Sequence, residues 1–133
     1  LLYKELKEHD HPGVAFRERS FIPGAFKLHD QSCNGLEFYV ADRNTIKPLE
    51  LALDIIATLI RLWPEKFDWD VHYHGTSIPL NKMWDGRYHF DLIMGEERYR
   101  EELLKGATSA ELSRLWEGEQ REFESLIEEF RIY

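Results

Sequence analysis

The chain has 133 residues, 43% of them apolar and 14% aromatic, enough to close one hydrophobic core and to exclude a disordered chain. Its 25 acidic residues outnumber 17 basic ones, and the formal net charge of −8 argues against nucleic acid or an anionic membrane as partner. No run is apolar for long enough to span a membrane, no signal peptide is visible, and a lone Cys33 leaves no internal disulfide.

The chain opens on Leu-Leu-Tyr-Lys-Glu-Leu, without Met and already helical in pattern, as expected of a piece of something longer. Residues 1–9 predict a helix with Leu2, Leu6 and Tyr3 on one side, broken by His11-Pro12-Gly13. Val14 to Ile22 reads as extended. Val14, Phe16 and Ile22 share one face, while Arg17, Arg19 and Phe21 share the other, where the arginines are expected to pair with acidic neighbours. An irregular loop then carries Lys27, His29, Asp30 and Cys33, before Asn34-Gly35 returns the chain to an alternating strand, Leu36 to Asp42. Leu36, Phe38 and Val40 are its expected buried face. A loop with several polar side chains between two strands is where binding chemistry usually sits.

Asp42-Arg43-Asn44-Thr45 is a polar turn into a helix over about 48–63, with Pro48 in its first turn and Trp63-Pro64 as its end. Glu50, Asp54, Thr58 and Arg61 fall three or four apart and predict one narrow wet stripe on an otherwise apolar helix. Phe67, Trp69, Val71 and Tyr73 alternate with Asp68, Asp70, His72 and His74, which predicts a third strand. A long loop follows over 75–88, then a short helical turn over Phe90 to Met94 and a helix from Glu96 to Lys105, with Gly106 just beyond. Thr108-x-x-Glu111 is a capping box that opens the last helix. Its apolar stripe runs through Leu112, Leu115, Trp116, Phe123, Leu126, Ile127 and Phe130. The prediction is a single α+β domain over 1–133, a small mostly antiparallel sheet of about three or more strands packed by three main helices.

Residue chemistry alone does not reach a reaction. Most carboxylates lie on helix faces, as in Glu96-Glu97 and Glu128-Glu129, and no pair is marked for glycoside hydrolysis. His72-x-His74 on one strand face with Asp68 and Asp70 is a weak alternative metal site, and a wet strand face is the plainer reading. Cys33 with His29 as base could form a nucleophile pair, but a small half-buried thiol beside a tight turn explains Cys33 better. Gly24 and Gly35 are isolated turn glycines, no nucleotide motif occurs, and no cofactor is expected.

Phe21-x-Pro23-x-x-Phe26-Lys27, Cys33-x-Gly35 and a strand closing on Asp42-Arg43 resemble one bacterial family, the C-terminal domain of the exo-β-N-acetylmuramidases. The resemblance continues through Pro48 with its Leu-rich helix, the run Trp63-Pro64-x-x-Phe67-x-Trp69, Phe90-Asp91-Leu92-Ile93-x-Gly95, and Trp116 with Phe123. It implies the C-terminal part of a two-domain glycosidase that releases N-acetylmuramic acid from the non-reducing end of peptidoglycan fragments. In that family a Rossmann-like N-terminal domain carries the proposed catalytic glutamate, so no catalytic residue is assigned to this chain. The implied partners are that domain and a muropeptide or muramyl-glucosamine sugar. The implied location is bacterial, whether secreted, periplasmic or associated with the cell envelope. Where the family has Cys-Gly-Gly, this chain has Cys33-Asn34-Gly35, and Gln31-Ser32 replaces the usual Gly-Glu before the cysteine.

The 21–35 loop is then the expected wall of the sugar cleft, with Phe21, Pro23, Phe26, Lys27, His29, Cys33, Asn34 and Gly35 as candidates. The lactyl carboxylate of muramic acid calls for a cation, with Lys27 first and Arg17, Arg19 or Arg43 next. The competing class is a non-catalytic module that binds cell-wall sugar or another protein.

Overall fold

Leu2–Glu8 forms the first helix, α1, in a computed structural model that describes residues 1–25, 28–69 and 88–132. Seven residues are too few to hold a helix by propensity, so α1 depends on docking. Leu6 supplies the apolar anchor, fully buried at 0% exposure. Arg61, on the following helix, donates to Glu5 at 2.5 Å. His9 and His11, just past the end of α1, reach Asp54 on that same helix.

At Gly13 the chain turns with φ +75°, and the Gly13 carbonyl accepts the Ala41 and Asp42 amides at 2.8 and 3.2 Å. A Cβ there would stand 2.5 Å from the Asp42 carbonyl oxygen, so both backbone conformation and space demand glycine. Strand β1 (Val14–Phe21) pairs antiparallel with β2 (Cys33–Val40), with Val14 opposite Val40 and Phe21 opposite Cys33.

Helix α2 (Pro48–Leu62) begins with proline in its first turn, as the sequence indicates, and gives way at Trp63. Three further helices follow: α3 (His89–Met94), α4 (Arg98–Leu104) and α5 (Ser109–Ile127), the last continued by a 3-10 turn over Glu128–Phe130. Left-handed Gly95 and Gly106 close α3 and the turn after α4. The Thr108–Glu111 capping box forms in both directions: the Glu111 amide donates to the Thr108 hydroxyl at 3.2 Å, and the Thr108 amide donates to the Glu111 carboxylate at 2.8 Å. None of the described helices is long and apolar enough to cross a membrane.

The core lies among the helices, where Leu53 of α2, Tyr99 and Leu103 of α4 and Leu112 of α5 are buried together. Ile56, Ile60, Phe90, Leu115 and Trp116 pack around them. Trp69 closes one side, its ring 4.7 Å from Phe90. Between α3 and α4, Arg100 donates its Nε–H to both oxygens of buried Asp91, at 2.8 and 3.0 Å, and lies 4.4 Å over the Tyr88 ring.

The α+β class holds, but several details differ from expectation. Among the described residues the sheet has two strands where three or more were expected. Phe67 to Trp69, the start of the expected third strand, is irregular: among the described residues it has no strand to pair with, and Phe67 and Trp69 stack edge to face at 5.1 Å; the rest of that strand lies outside the described residues. The stripe of Glu50, Asp54, Thr58 and Arg61 is wet only at its ends, since Glu50 and Arg61 still reach solvent while α1 docks over its middle, where Asp54 is largely covered and Thr58 buried. On β2, Phe38 and Val40 are exposed instead of buried, because α1 and the end of α2 cover only the other half of the ribbon.

Candidate functional site

The loop between β1 and β2 is held by its own backbone. The Asp30 amide donates to the Pro23 carbonyl and the Gln31 amide to the Leu28 carbonyl, each at 3.0 Å. Leu28 and Asp30 both take φ of +58°. Aspartate tolerates the left-handed region, but a bulky leucine is strained there, and such strain persists only where surrounding structure enforces it. His29 is exposed and its Nδ1 lies 2.9 Å from Asp30. The Cys33 thiol is half-buried and donates to the Gln31 carbonyl at 3.5 Å. Neither side chain bonds the other, so the plainer reading of Cys33 agrees with its contacts. Phe26 and Lys27 lie outside the described residues, as do His72 and His74.

Beside the loop, one sheet face gathers charge. Residues opposite each other across the ladder project to the same side, which puts Arg17, Arg19 and Phe21 with Cys33, Gly35, Glu37 and Tyr39. Arg17, Arg19 and Tyr39 all donate to Glu37, each at 2.6 Å. The Tyr39 hydroxyl first, and then the Arg17 guanidinium, hold the Glu37 carboxyl below the usual glutamate range; their own values rise in return. The arginines therefore pair with an acidic neighbour, as expected, but two cations share one carboxylate. The result is a local excess of one positive charge on an acidic chain, with both guanidinium groups more than half exposed. Phe21 stands at the loop end of this face, its ring 2.9 Å from where a Gly35 Cβ would be. The absent side chain at Gly35 makes room for that ring.

Ser20 donates to the Asn34 side chain at 2.8 Å, across the strand pair on the opposite face. Here Glu18, Ser20, Asn34 and Leu36, with α1 and the end of α2, line a groove of about 590 Å³ whose rim includes Arg19 and Gly35. Arg43 is elsewhere. It follows the far end of β2, and seven strand steps of about 3.3 Å place it roughly 20 Å or more from the loop. The structure thus puts Arg17, Arg19, Phe21, Cys33 and Gly35 on one face, turns Asn34 to the other, and sets Arg43 apart.

Among the described residues, no carboxylate with a resolved shift suits a general acid. Such a group needs a raised affinity for its proton, and both Glu37 and Glu111 move the other way. Sequence reasoning missed Glu37 and Tyr39 as site residues. The signal was their parity with the arginines, legible only once the register of the two strands is known. It also missed His9 and His11, whose His-x-His spacing matches that of His72 and His74, because their third partner, Asp54, is distant in the chain.

A family model described as "Exo-beta-N-acetylmuramidase NamZ, C-terminal" matches residues 1–133. The chain is 38% identical over 58 residues to the peptidoglycan beta-N-acetylmuramidase NamZ of Bacillus subtilis (strain 168), a match covering 44% of this chain and 14% of that protein. Its fold is similar to the crystal structure of a DUF1343 family protein from Bacteroides fragilis NCTC 9343, with a TM-score of 0.77 at 19% identity. That likeness covers 99% of this chain and 32% of the other. The chain thus spans about a third of its structural relative's length.

Proposed function

This chain belongs to the family of exo-β-N-acetylmuramidase C-terminal domains, and on that premise we propose that it is a single domain forming one wall of the sugar cleft in a longer glycosidase. The family match over 1–133 carries this reading. The enzyme would release N-acetylmuramic acid from the non-reducing end of peptidoglycan fragments, with catalysis assigned to an N-terminal domain. This chain alone would then be inactive. Its role is to bind and orient the substrate, which lowers the entropy cost of the reaction in the assembled cleft.

The geometry of the β1–β2 face supports the assignment. Muramic acid differs from glucosamine by a lactyl ether with a carboxylate, which a guanidinium recognises through paired N–H donors. Arg17 and Arg19 each spend one nitrogen on Glu37 and keep further N–H groups towards solvent. Glu37 holds both in place, so little freedom is lost when an anion arrives. Phe21 and Tyr39 flank them with aromatic surface suited to a sugar ring. Lys27, in the adjacent loop, is the further candidate for the same carboxylate.

Steady-state kinetics of the full-length enzyme test this reading on muramyl-glucosamine and on the same disaccharide without its lactyl group. Arg17→Ala, Arg19→Ala and Lys27→Ala should raise KM for the muramyl substrate, with the loss confined to it. Unchanged KM and kcat in all three would refute the carboxylate role. Titrating this chain alone with muramyl-glucosamine separates the cleft wall from a free-standing sugar-binding module: the module binds by itself, and the cleft wall does not. Secretion, or placement in the periplasm or envelope, follows from the same reading and is checked by fractionation.

A further inference from the structure

We propose that His9, His11 and Asp54 form a site for a divalent cation of the zinc class, which clips α1 to α2. The nitrogen and oxygen donors of these three residues all lie within 4.8 Å of one another. His9 Nδ1 and His11 Nε2 converge on the same oxygen, Asp54 Oδ2, at 2.6 and 2.9 Å. Two imidazole nitrogens and one carboxylate are the donor set of open zinc sites, in which water takes the fourth position.

The site is preorganised in part. Asp54 is fixed in the middle of α2, its side chain 13% exposed. His11, 10% exposed, rests edge-on against Phe16 with ring centroids 5.8 Å apart. Bonds of about 2.0–2.1 Å at tetrahedral angles put ligand atoms roughly 3.3 Å apart, so both histidine nitrogens, at 2.6 and 2.9 Å, must draw back from Asp54 Oδ2 by about half an ångström. His9 can provide its share of that movement, since it lies at the surface and its ring is 6.2 Å from that of His11. Two neutral imidazoles and a carboxylate carry one negative charge, and the whole chain carries −8, which draws cations towards it.

The ion would join three segments: the end of α1, the turn into β1, and the centre of α2. Without it, α1 is held there by buried Leu6, the exposed Glu5–Arg61 pair and the two histidine contacts. Metal binding to residues from separate segments couples directly to their association. Occupancy would therefore set how firmly α1 stays on the domain.

Competition with a chromophoric chelator tests the site on the chelator-stripped protein, titrated with zinc. One saturable equivalent is expected, with two imidazoles and an oxygen from protein in its X-ray absorption spectrum. His9→Ala, an exposed position that leaves Leu6 and Asp54 in place, should weaken the affinity by about a hundredfold or more, since outer-shell partners alone are worth 10–100-fold. His11→Ala and Asp54→Asn should do the same. Zinc should slow amide exchange in α1 of the unmodified protein and not of the His9→Ala variant. The proposal is overturned by the lack of a saturable equivalent. It is equally overturned by an equivalent that survives His9→Ala and His11→Ala, which would place the ion at His29, His72, His74 or His89.

Discussion

Leu112 and Leu126 lie on the same helix in the same apolar stripe, yet Leu112 is 1% exposed and Leu126 is 64% exposed. Truncating each to alanine compares their burial at constant chemistry. Leu112→Ala removes about three buried carbons, worth roughly 2.4 kcal/mol at about 0.8 kcal/mol each. Leu53, Tyr99 and Leu103 enclose the vacated space from two other helices and cannot all collapse into it. The residual cavity brings the expected cost to about 3–4 kcal/mol, within the span of measured Leu→Ala losses. That is a large share of a total stability of about 5–15 kcal/mol. In urea, with a slope of about 1–3 kcal/mol per molar, the Leu112→Ala midpoint should fall by roughly 2 M. Leu126→Ala, measured in this chain alone, should cost about 0.5 kcal/mol or less. Equal losses for the two variants, or a Leu112→Ala cost under about 1 kcal/mol, would refute this placement of the core.

Asp91→Ala should leave the Arg100 guanidinium half-buried against Tyr88 without its counter-ion, at a cost of about 3 kcal/mol and roughly 10 °C in thermal midpoint. Replacing both partners by apolar residues should cost less than the single change, and a thermal melt of the three variants checks that order. Gly13→Ala should destabilise by about 2 kcal/mol or more in urea, since a Cβ at φ +75° would meet the Asp42 carbonyl oxygen at 2.5 Å and Thr45 Oγ1 at 2.6 Å; a change below about 0.5 kcal/mol would contradict that contact. Glu37 binds its proton more weakly folded than unfolded. Its contribution is therefore complete above the ordinary glutamate range and is lost as pH falls through its lowered folded value. Glu37→Gln should flatten the acid limb of a stability-against-pH series, and identical limbs in both proteins would discount the array.

Local signals were legible because their causes are local. The Thr108–Glu111 box, Pro48 at the start of α2 and the glycines after α3 and α4 each satisfy backbone groups within a few residues, so the sequence shows them directly. The two arginines of β1 announced an acidic partner by their place on a strand. Which carboxylate answered depended on the register that sets Arg17 opposite Glu37.

By itself, then, the sequence determined the α+β class, the helix ends it marked to within about two residues, and a family resemblance that the comparison bears out over 1–133. It placed the start of the second strand three residues late, since Cys33, Asn34 and Gly35 pair with β1 instead of lying in the loop. Tertiary structure alone decided what covers what. Asp54 and Thr58 look like a wet stripe until α1 lies over them; Phe38 and Val40 look buried until the ribbon extends past the helices. Periodicity reports which residues share a face. Whether that face meets water, an imidazole pair or a leucine core is fixed by segments far away in the chain, and no local pattern encodes their arrival.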